Sequence, residues 1–316
     1  MAASPYLQWL SRSLPPQSFR PARPPAVGDA VLGYATGYDI AEISPFVRSL
    51  RAVYSGQVIL VVDHKPALLA WLSSHGVEAV IAADRLMHWA PHPVVARFAV
   101  YAQILQERPG IRNVVTTDVR DVVFQGDPFA GPPGELEFYV EAEQWRLADH
   151  AFNLKHLRAL VGEGLAGALG RRACVCVGVV AGSSAAVARL CRAILLLCAI
   201  PRSRVGGAFG ADQAACNVIA HLNLIGGEIL PNYGRVATIG LTAPERLGFE
   251  DGVILNPDAS VSPIVHQYDR IPPLAAHVRD RWGTPAAAGR RGWAGPVRRR
   301  VTALGGSLLR RWPELR

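Results

Sequence analysis

Residues 113–129, NVVTTDVRDVVFQGDPF, bring two acids, Asp118 and Asp121, to one place inside an apolar run. Val114 and Val115 read as the end of a buried strand, and Val122, Val123 and Phe124 resume the apolar character directly after the acids. Carboxylates in such a setting cost free energy unless something positive meets them. Arg120 within the segment is one candidate partner. A divalent cation is the other, because oxygen ligands on a strand-end turn suit Mg²⁺ or Mn²⁺, with diphosphate oxygens and water filling the remaining positions. The residues therefore describe either a structural Asp-Arg pair, with Asp127 opening a turn before Pro128, or a site for a phosphorylated substrate.

Other side chains could take part in the same chemistry. Asp212 and Gln213, in GADQAACN, fall at a helix start. There Asp212 can cap the helix, while Gln213 and Asn217 at i, i+4 share a face. Arg97 and Tyr101 lie one helical turn apart just before the acidic strand. A guanidinium fork suits a diphosphate; a surface charge beside a core aromatic is the plainer reading. Glu141 and Glu143 follow the strand FYV and face the same way on extended backbone, as a general base for a hydroxyl or as a solvated rim. His266, in VSPIVHQYDR, taken by itself is a core histidine or a partner of Asp269.

Alternating strand and helix patterns must position these groups. AVLGYATGY reads as a strand ending at a glycine-bearing turn, 43–54 as an amphipathic helix and QVILVVD as a buried strand. Residues 68–75 suggest a helix and 78–82 a strand. Residues 93–106 fit a helix with Val94, Phe98, Tyr101 and Leu105 on one face. Further on, 137–141 and 173–181 read as strands, 185–197 as a helix, and another helix begins at Asp212. The alternation implies an α/β fold with a parallel, doubly wound sheet. Ligands of such sheets gather at the carboxyl ends of the strands, where Asp63, Asp118 and His266 would lie.

Taken in order, TTDVRDVVFQGDPF, GVVAGSS, GADQAACN and PIVHQYDR resemble the motifs of nucleotide-sugar glycosyltransferases of the GT-A fold. They are similar to family 8 of those enzymes, in a form where D-V-R-D-V-x-F-Q replaces the usual D-x-D. The resemblance spans residues 30–272. It implies a GT-A-like, mostly parallel sheet with helices on both faces, a nucleotide-diphosphate sugar donor, a glycan or other hydroxyl acceptor, and Mn²⁺ or Mg²⁺. Asp121 then falls on the second acid of the motif and Val119 where the first is expected, so Asp118 is the departure. The resemblance makes His266 a third metal ligand and sets Asp212 and Gln213 beside the donor sugar as the catalytic pair. Gly178 and Gly182 lie in a segment expected next to the sugar and diphosphate. Thr36, Gly37 and Tyr38 follow the first strand, where related folds receive base and ribose; Asp63, Arg97 and Asp118 complete the expected donor contacts. The alternative enzyme class is a sugar-nucleotide nucleotidyltransferase, but GYATGYDIAEI offers no lysine or arginine for a triphosphate.

Half of the 316 residues are hydrophobic, enough for a large core and contrary to a disordered chain. A formal charge of +8 suggests nucleic acid at first. Between residues 279 and 316, however, ten arginines face two acids, so the rest of the chain is formally neutral and no nucleic-acid partner is expected. In that tail Val297, Val301, Leu304, Leu308 and Trp312 recur at helical spacing among arginines, the pattern of a basic amphipathic helix on an anionic membrane surface. Gly305 and Gly306 weaken that helix, and a disordered tail or a docked helix are the alternatives. A non-catalytic protein that binds membrane or nucleic acid through the tail is thus the second functional class.

The expected organisation is a proline-rich arm over 1–29, a catalytic domain over 30–280 and the basic tail over 281–316. The five cysteines lack the spacing of a disulfide framework or a zinc site and read as small buried hydrophobes in a reducing compartment. With no signal-peptide pattern at the N-terminus and no apolar run long enough to span a bilayer, a cytoplasmic protein is expected, with the tail able to sit on the inner face of the membrane.

Overall fold

The structure, a computed structural model, describes residues 9, 28–86, 89, 91–198 and 209–284. The proline-rich arm other than Trp9 and Gly28–Asp29, and the amphipathic helix expected in the tail, lie outside the described residues.

Four strands, β1 (Gly28–Tyr34), β2 (Gln57–Val62), β3 (Glu78–Ile81) and β4 (Ile111–Thr117), start the central sheet, and β5 (Val122–Phe124) leaves it for a smaller one. The sheet is completed by β6 (Leu136–Val140), β7 (Val175–Ser183) and β8 (Glu228–Leu230), giving seven strands in the order β3-β2-β1-β4-β7-β6-β8. Its central strands are apolar at consecutive positions because both faces are covered. In β1, Ala30 and Leu32 enter one core and Val31 the other; in β2, Ile59 and Val61 oppose Val58, Leu60 and Val62.

One face is covered by α1 (Ile40–Val53) and α2 (Pro66–Ser74), through Ile43, Phe46, Val47, Leu50, Leu68 and Leu72. Asp39 and Glu42 begin α1 as a capping box, the Asp39 N–H donating to the Glu42 carboxylate at 3.0 Å. A proline in the first turn starts α2. After the short α3 (Ala82–Leu86), α4 (Pro93–Glu107) crosses the other face. Its burial exceeds the single apolar face expected: almost every residue from Val95 to Leu105 is enclosed, Arg97 included. The long α5 (Ala151–Gly170) is followed by α6 (Ser184–Cys198) and α7 (Ala211–His221), which join α4 on that face.

The central sheet is mostly parallel, as expected, with one strand reversed. β1 to β4 are mutually parallel and β6 is parallel to β8, but β7 runs antiparallel to both β4 and β6. The cause is the path between β6 and β7. There α5 packs with α7 around Leu157, Leu169 and Val218, away from the sheet, so the chain returns at the end where it left.

A second sheet takes in β9 (Val236–Thr238) and, after the hairpin of β10 (Gly248–Glu250) and β11 (Val253–Leu255), β12 (Ile264–His266), which lies between β5 and β9 as the middle of three strands. The hairpin turns on Asp251 and Gly252, both at positive φ, as its Asp-Gly sequence favours. α8 (Pro272–Trp282) packs on this sheet through Leu274, Ala275 and Val278. All five cysteines are free and buried, as expected. No helix among the described residues is long and apolar enough to cross a membrane.

Candidate metal centre and cleft

The apolar side chains of β4 fix the strand in the core, and the acids follow where it ends. The Asp118 N–H donates to the Gly178 carbonyl at 2.7 Å, which ties the turn to the start of β7. β5 resumes at Val122, and its antiparallel partner β12 places His266 opposite that valine. A bond of 2.7 Å from the Gln267 N–H to the Asp121 carbonyl closes the junction. As a result, ligand atoms of Asp118, Asp121 and His266 lie within 4.8 Å of one another.

His266 is 1 % exposed, with Nε2 3.5 Å from Asp118 Oδ2 and 3.9 Å from Asp121 Oδ2. That nitrogen is buried with no hydrogen bond of normal geometry, only the two long ion-pair contacts to these carboxylates, and a cation between the three would serve them all. The residues present therefore fit a divalent ion. Cys176 lies on the other side of the ring, its sulfur 3.7 Å from Nδ1. Gly178 gives the imidazole room.

Arg97 organises the acids from below. It is 8 % exposed, bonds Asp118 through Nη1 and reaches Asp212 through Nη2 at 2.6 Å. The surface-charge reading does not survive this placement: the fork is buried and shared by two carboxylates, while Arg97 also lines the cleft. Arg120 turns instead to Asp269 at 3.2 Å, so it neutralises neither acid by direct contact and Asp269 is not the histidine's partner. The two acids are electrically unequal. Burial pushes the Asp118 carboxyl up, but Arg97 and His266 outweigh it and hold the pKa at about 2. At Asp121 burial dominates, and with the charge of Asp118 it raises the pKa despite His266. Burial likewise raises Asp212 against the pull of Arg97. For His266, burial alone would lower the pKa, yet Cys176 on one side of the ring and Asp118 and Asp121 on the other raise it well above the ordinary imidazole value.

Above the acids opens a cleft of about 470 Å³, lined by Tyr38, Arg97, Asp118, Asp121, Glu141, Asp212, Gln213 and His266, among others. Glu141 is only 6 % exposed and is no solvated rim. It accepts from Gln213 Nε2 at 3.2 Å, Gln267 Nε2 at 3.3 Å and the Cys174 thiol at 3.3 Å, all neutral donors. Glu143, the other acid of that pair, is exposed and accepts from the Asn232 N–H at 2.8 Å.

At the start of α7 the cap position is held by Gly210, with φ 93°, and the Asp212 side chain is engaged with Arg97. Asn217, one turn on from Gln213, accepts from the Val175 N–H at 2.8 Å and donates to its carbonyl at 2.9 Å. This amide docks α7 on β7, and Gln213, accepting from Val177 N–H at 3.3 Å, presents its own amide to Glu141.

The remaining nominated residues divide. Tyr38 reaches the cleft wall, whereas Thr36, Gly37 and Asp63 do not line it. Gly37 donates its N–H to Asp63 Oδ2 at 2.7 Å, so this aspartate clamps the turns that follow β1 and β2. Lys65 is bound nearby to the Tyr38 carbonyl and Asp39. Gly182 is misplaced by the sequence reading. Because β7 is reversed, its beginning adjoins the acids while Gly182 pairs with Val114 and Leu136 farther down the sheet, against the Glu135 carbonyl. Gly178 is the β7 glycine that reaches the cleft. Gln267, unnoticed in the sequence beyond its place after His266, sits at φ 65° with its Nε2 on Glu141 and its Oε1 buried and unpartnered against Gly240. A left-handed non-glycine next to a candidate ligand is a feature only coordinates reveal.

Comparison with models of known protein families gives no match, and comparison with curated proteins finds no similar sequence.

Proposed function

We propose that this chain is a metal-dependent glycosyltransferase that moves a sugar from a nucleoside-diphosphate donor to an acceptor hydroxyl, in glycan or glycoconjugate synthesis. The observation that carries this reading is the buried Nε2 of His266, with no hydrogen bond of normal geometry, facing Asp118 and Asp121 on the floor of a cleft rich in hydrogen-bonding groups. The order of the central sheet, parallel except for β7, is compatible with the GT-A resemblance of the sequence motifs.

Mn²⁺ or Mg²⁺ held by Asp118, Asp121 and His266 supplies positive charge for a diphosphate leaving group. The chain's own residues do the rest. Arg97 bonds both Asp118 and Asp212 and fixes their orientation through one rigid fork. Glu141 offers carboxylate oxygens, and Gln213 and Gln267 their amides, as a set able to hold and orient sugar hydroxyls. Asp212, tied to Arg97, acts in positioning at the cleft wall.

The test is release of nucleoside diphosphate from a panel of nucleotide sugars, with Mn²⁺ and after chelation. Slow, Mn²⁺-dependent release from one donor, abolished in His266→Ala, is expected. Pyrophosphate formation from a nucleoside triphosphate and a sugar phosphate would identify a nucleotidyltransferase instead. A chain that neither takes up Mn²⁺ nor cleaves any donor would remove the proposal.

A further inference from the structure

The mouth of the cleft on the α5 and α7 side is lined with aromatic rings that the chemistry above leaves unused. Phe209 is 62 % exposed and Phe152 47 %, with their centroids 5.6 Å apart. Both line the same cleft as Glu141 and Gln213. The pair is built into the fold. Phe152 packs on His156 with centroids 4.6 Å apart, and a β-carbon at Gly210 would strike Phe152 at 2.6 Å and His156 at 2.8 Å. His150, which packs on Trp145, also lines the cleft, and its Nε2 is buried without a hydrogen-bond partner.

Large apolar groups exposed beside a polar cleft mark a ligand surface. The occupant must offer an apolar face to two phenyl rings and hydrogen-bonding groups to His150, Gln213 and Glu141. A pyranose ring has that division: C–H bonds on its faces and hydroxyls around its edge. An alkyl chain would cover the rings but leave the buried imidazole nitrogen without a partner. We infer that Phe152 and Phe209 form a shelf that binds the ring of a carbohydrate acceptor, so that the molecule receiving the sugar is itself a glycan. The acceptor role rests on the transferase reading above; carbohydrate binding at the shelf does not.

Saturation-transfer NMR on the full-length chain tests this, using methyl glycosides of glucose, galactose, mannose and N-acetylglucosamine, with hexanol and uridine as competing probes. Transfer to the ring C–H protons of at least one glycoside is expected in the native chain and in Phe209→Trp. In Phe209→Ala and Phe152→Ala the affinity should fall about threefold or more, in keeping with the strength of ring contacts. Equal signals in native and alanine chains, transfer to hexanol or uridine alone, or no glycoside signal at all would each overturn the shelf. Mn²⁺-dependent nucleoside-diphosphate binding is measured on the same samples. If it persists while shelf-dependent glycoside binding is absent, the shelf fails and the transferase reading stands. If the reverse holds, the shelf is a carbohydrate site and the transferase reading fails.

Discussion

Gly178 and His266 are so close that a β-carbon on the glycine would lie 2.3 Å from the imidazole Cε1 and 2.7 Å from Nε2. The glycine cannot retreat, because its carbonyl is held by the Asp118 N–H at 2.7 Å and its strand lies between β4 and β6. Alanine at this position must therefore move the ring. Gly178→Ala should fold, with an overpacking cost of about 1–3 kcal/mol, and should bind Mn²⁺ about 10- to 100-fold more weakly, the range seen when support around a ligand is disturbed. Titration of free Mn²⁺ by electron paramagnetic resonance measures this; native affinity in the variant would show that the ring is not a ligand.

The inequality of the two acids predicts different responses to amide replacement. Asp121→Asn should lose Mn²⁺ affinity while keeping or gaining thermal stability in chelator, since burial and the charge of Asp118 both work against its ionised form. Asp118→Asn should lose affinity and stability together, because it leaves the buried Arg97 fork with one carboxylate in place of two. Melting both variants in chelator separates the cases. Identical losses in the two would contradict the assigned partners.

Removing Arg97 should be the more severe change. Arg97→Met leaves Asp118 and Asp212 facing each other without their shared cation, a loss of about 3–5 kcal/mol on the scale of broken buried pairs. Arg97→Lys should recover only part of it, since an ammonium lacks the fork that reaches both acids. Urea unfolding gives the values, and a mild effect of Arg97→Met would indicate that the two acids are already protonated.

A pH dependence follows from Glu137, which lies away from the cleft. This buried carboxylate accepts from the Gly134 N–H at 2.8 Å and from Arg235 Nε at 3.0 Å, and also bonds Tyr139. Burial raises its pKa, but these donors prevail and the net shift is downward. A carboxylate with a lowered folded pKa stabilises the fold fully above its ordinary value, and that contribution disappears as pH falls through the lowered one. Between about pH 5 and about pH 3 the native melting temperature should drop more steeply than that of Glu137→Gln. Parallel curves would exclude Glu137 as a source of acid sensitivity.

The sequence reveals most where burial is simple. Consecutive apolar residues in β1 and β2 announce strands covered on both faces, and Pro93 marks the start of α4 to the residue. Harder to read are directions and partners. Helical spacing places Arg97 on α4 without saying that its side chain points inward to two acids from distant segments. Spacing by two puts Glu141 and Glu143 on one side of an ideal strand, but β6 ends at Val140, and only the first is buried beside Gln213 and Gln267. Of the two glycines expected beside the donor, Gly182 lies elsewhere because strand direction depends on where α5 packs, a tertiary fact with no local sign.

The pairing of β5 with β12 brings Asp121 and His266 together from opposite halves of the chain. A cation shared by them is thus also a crosslink, closing a very long loop alongside the β5–β12 pairing, the Arg120–Asp269 pair and the bonds of Arg48 to the end of α8. Metal loading and the anchoring of α8 are then coupled. Chelation should be felt first as faster amide exchange in β12 and α8, with the protons of β1 and β2 unaffected.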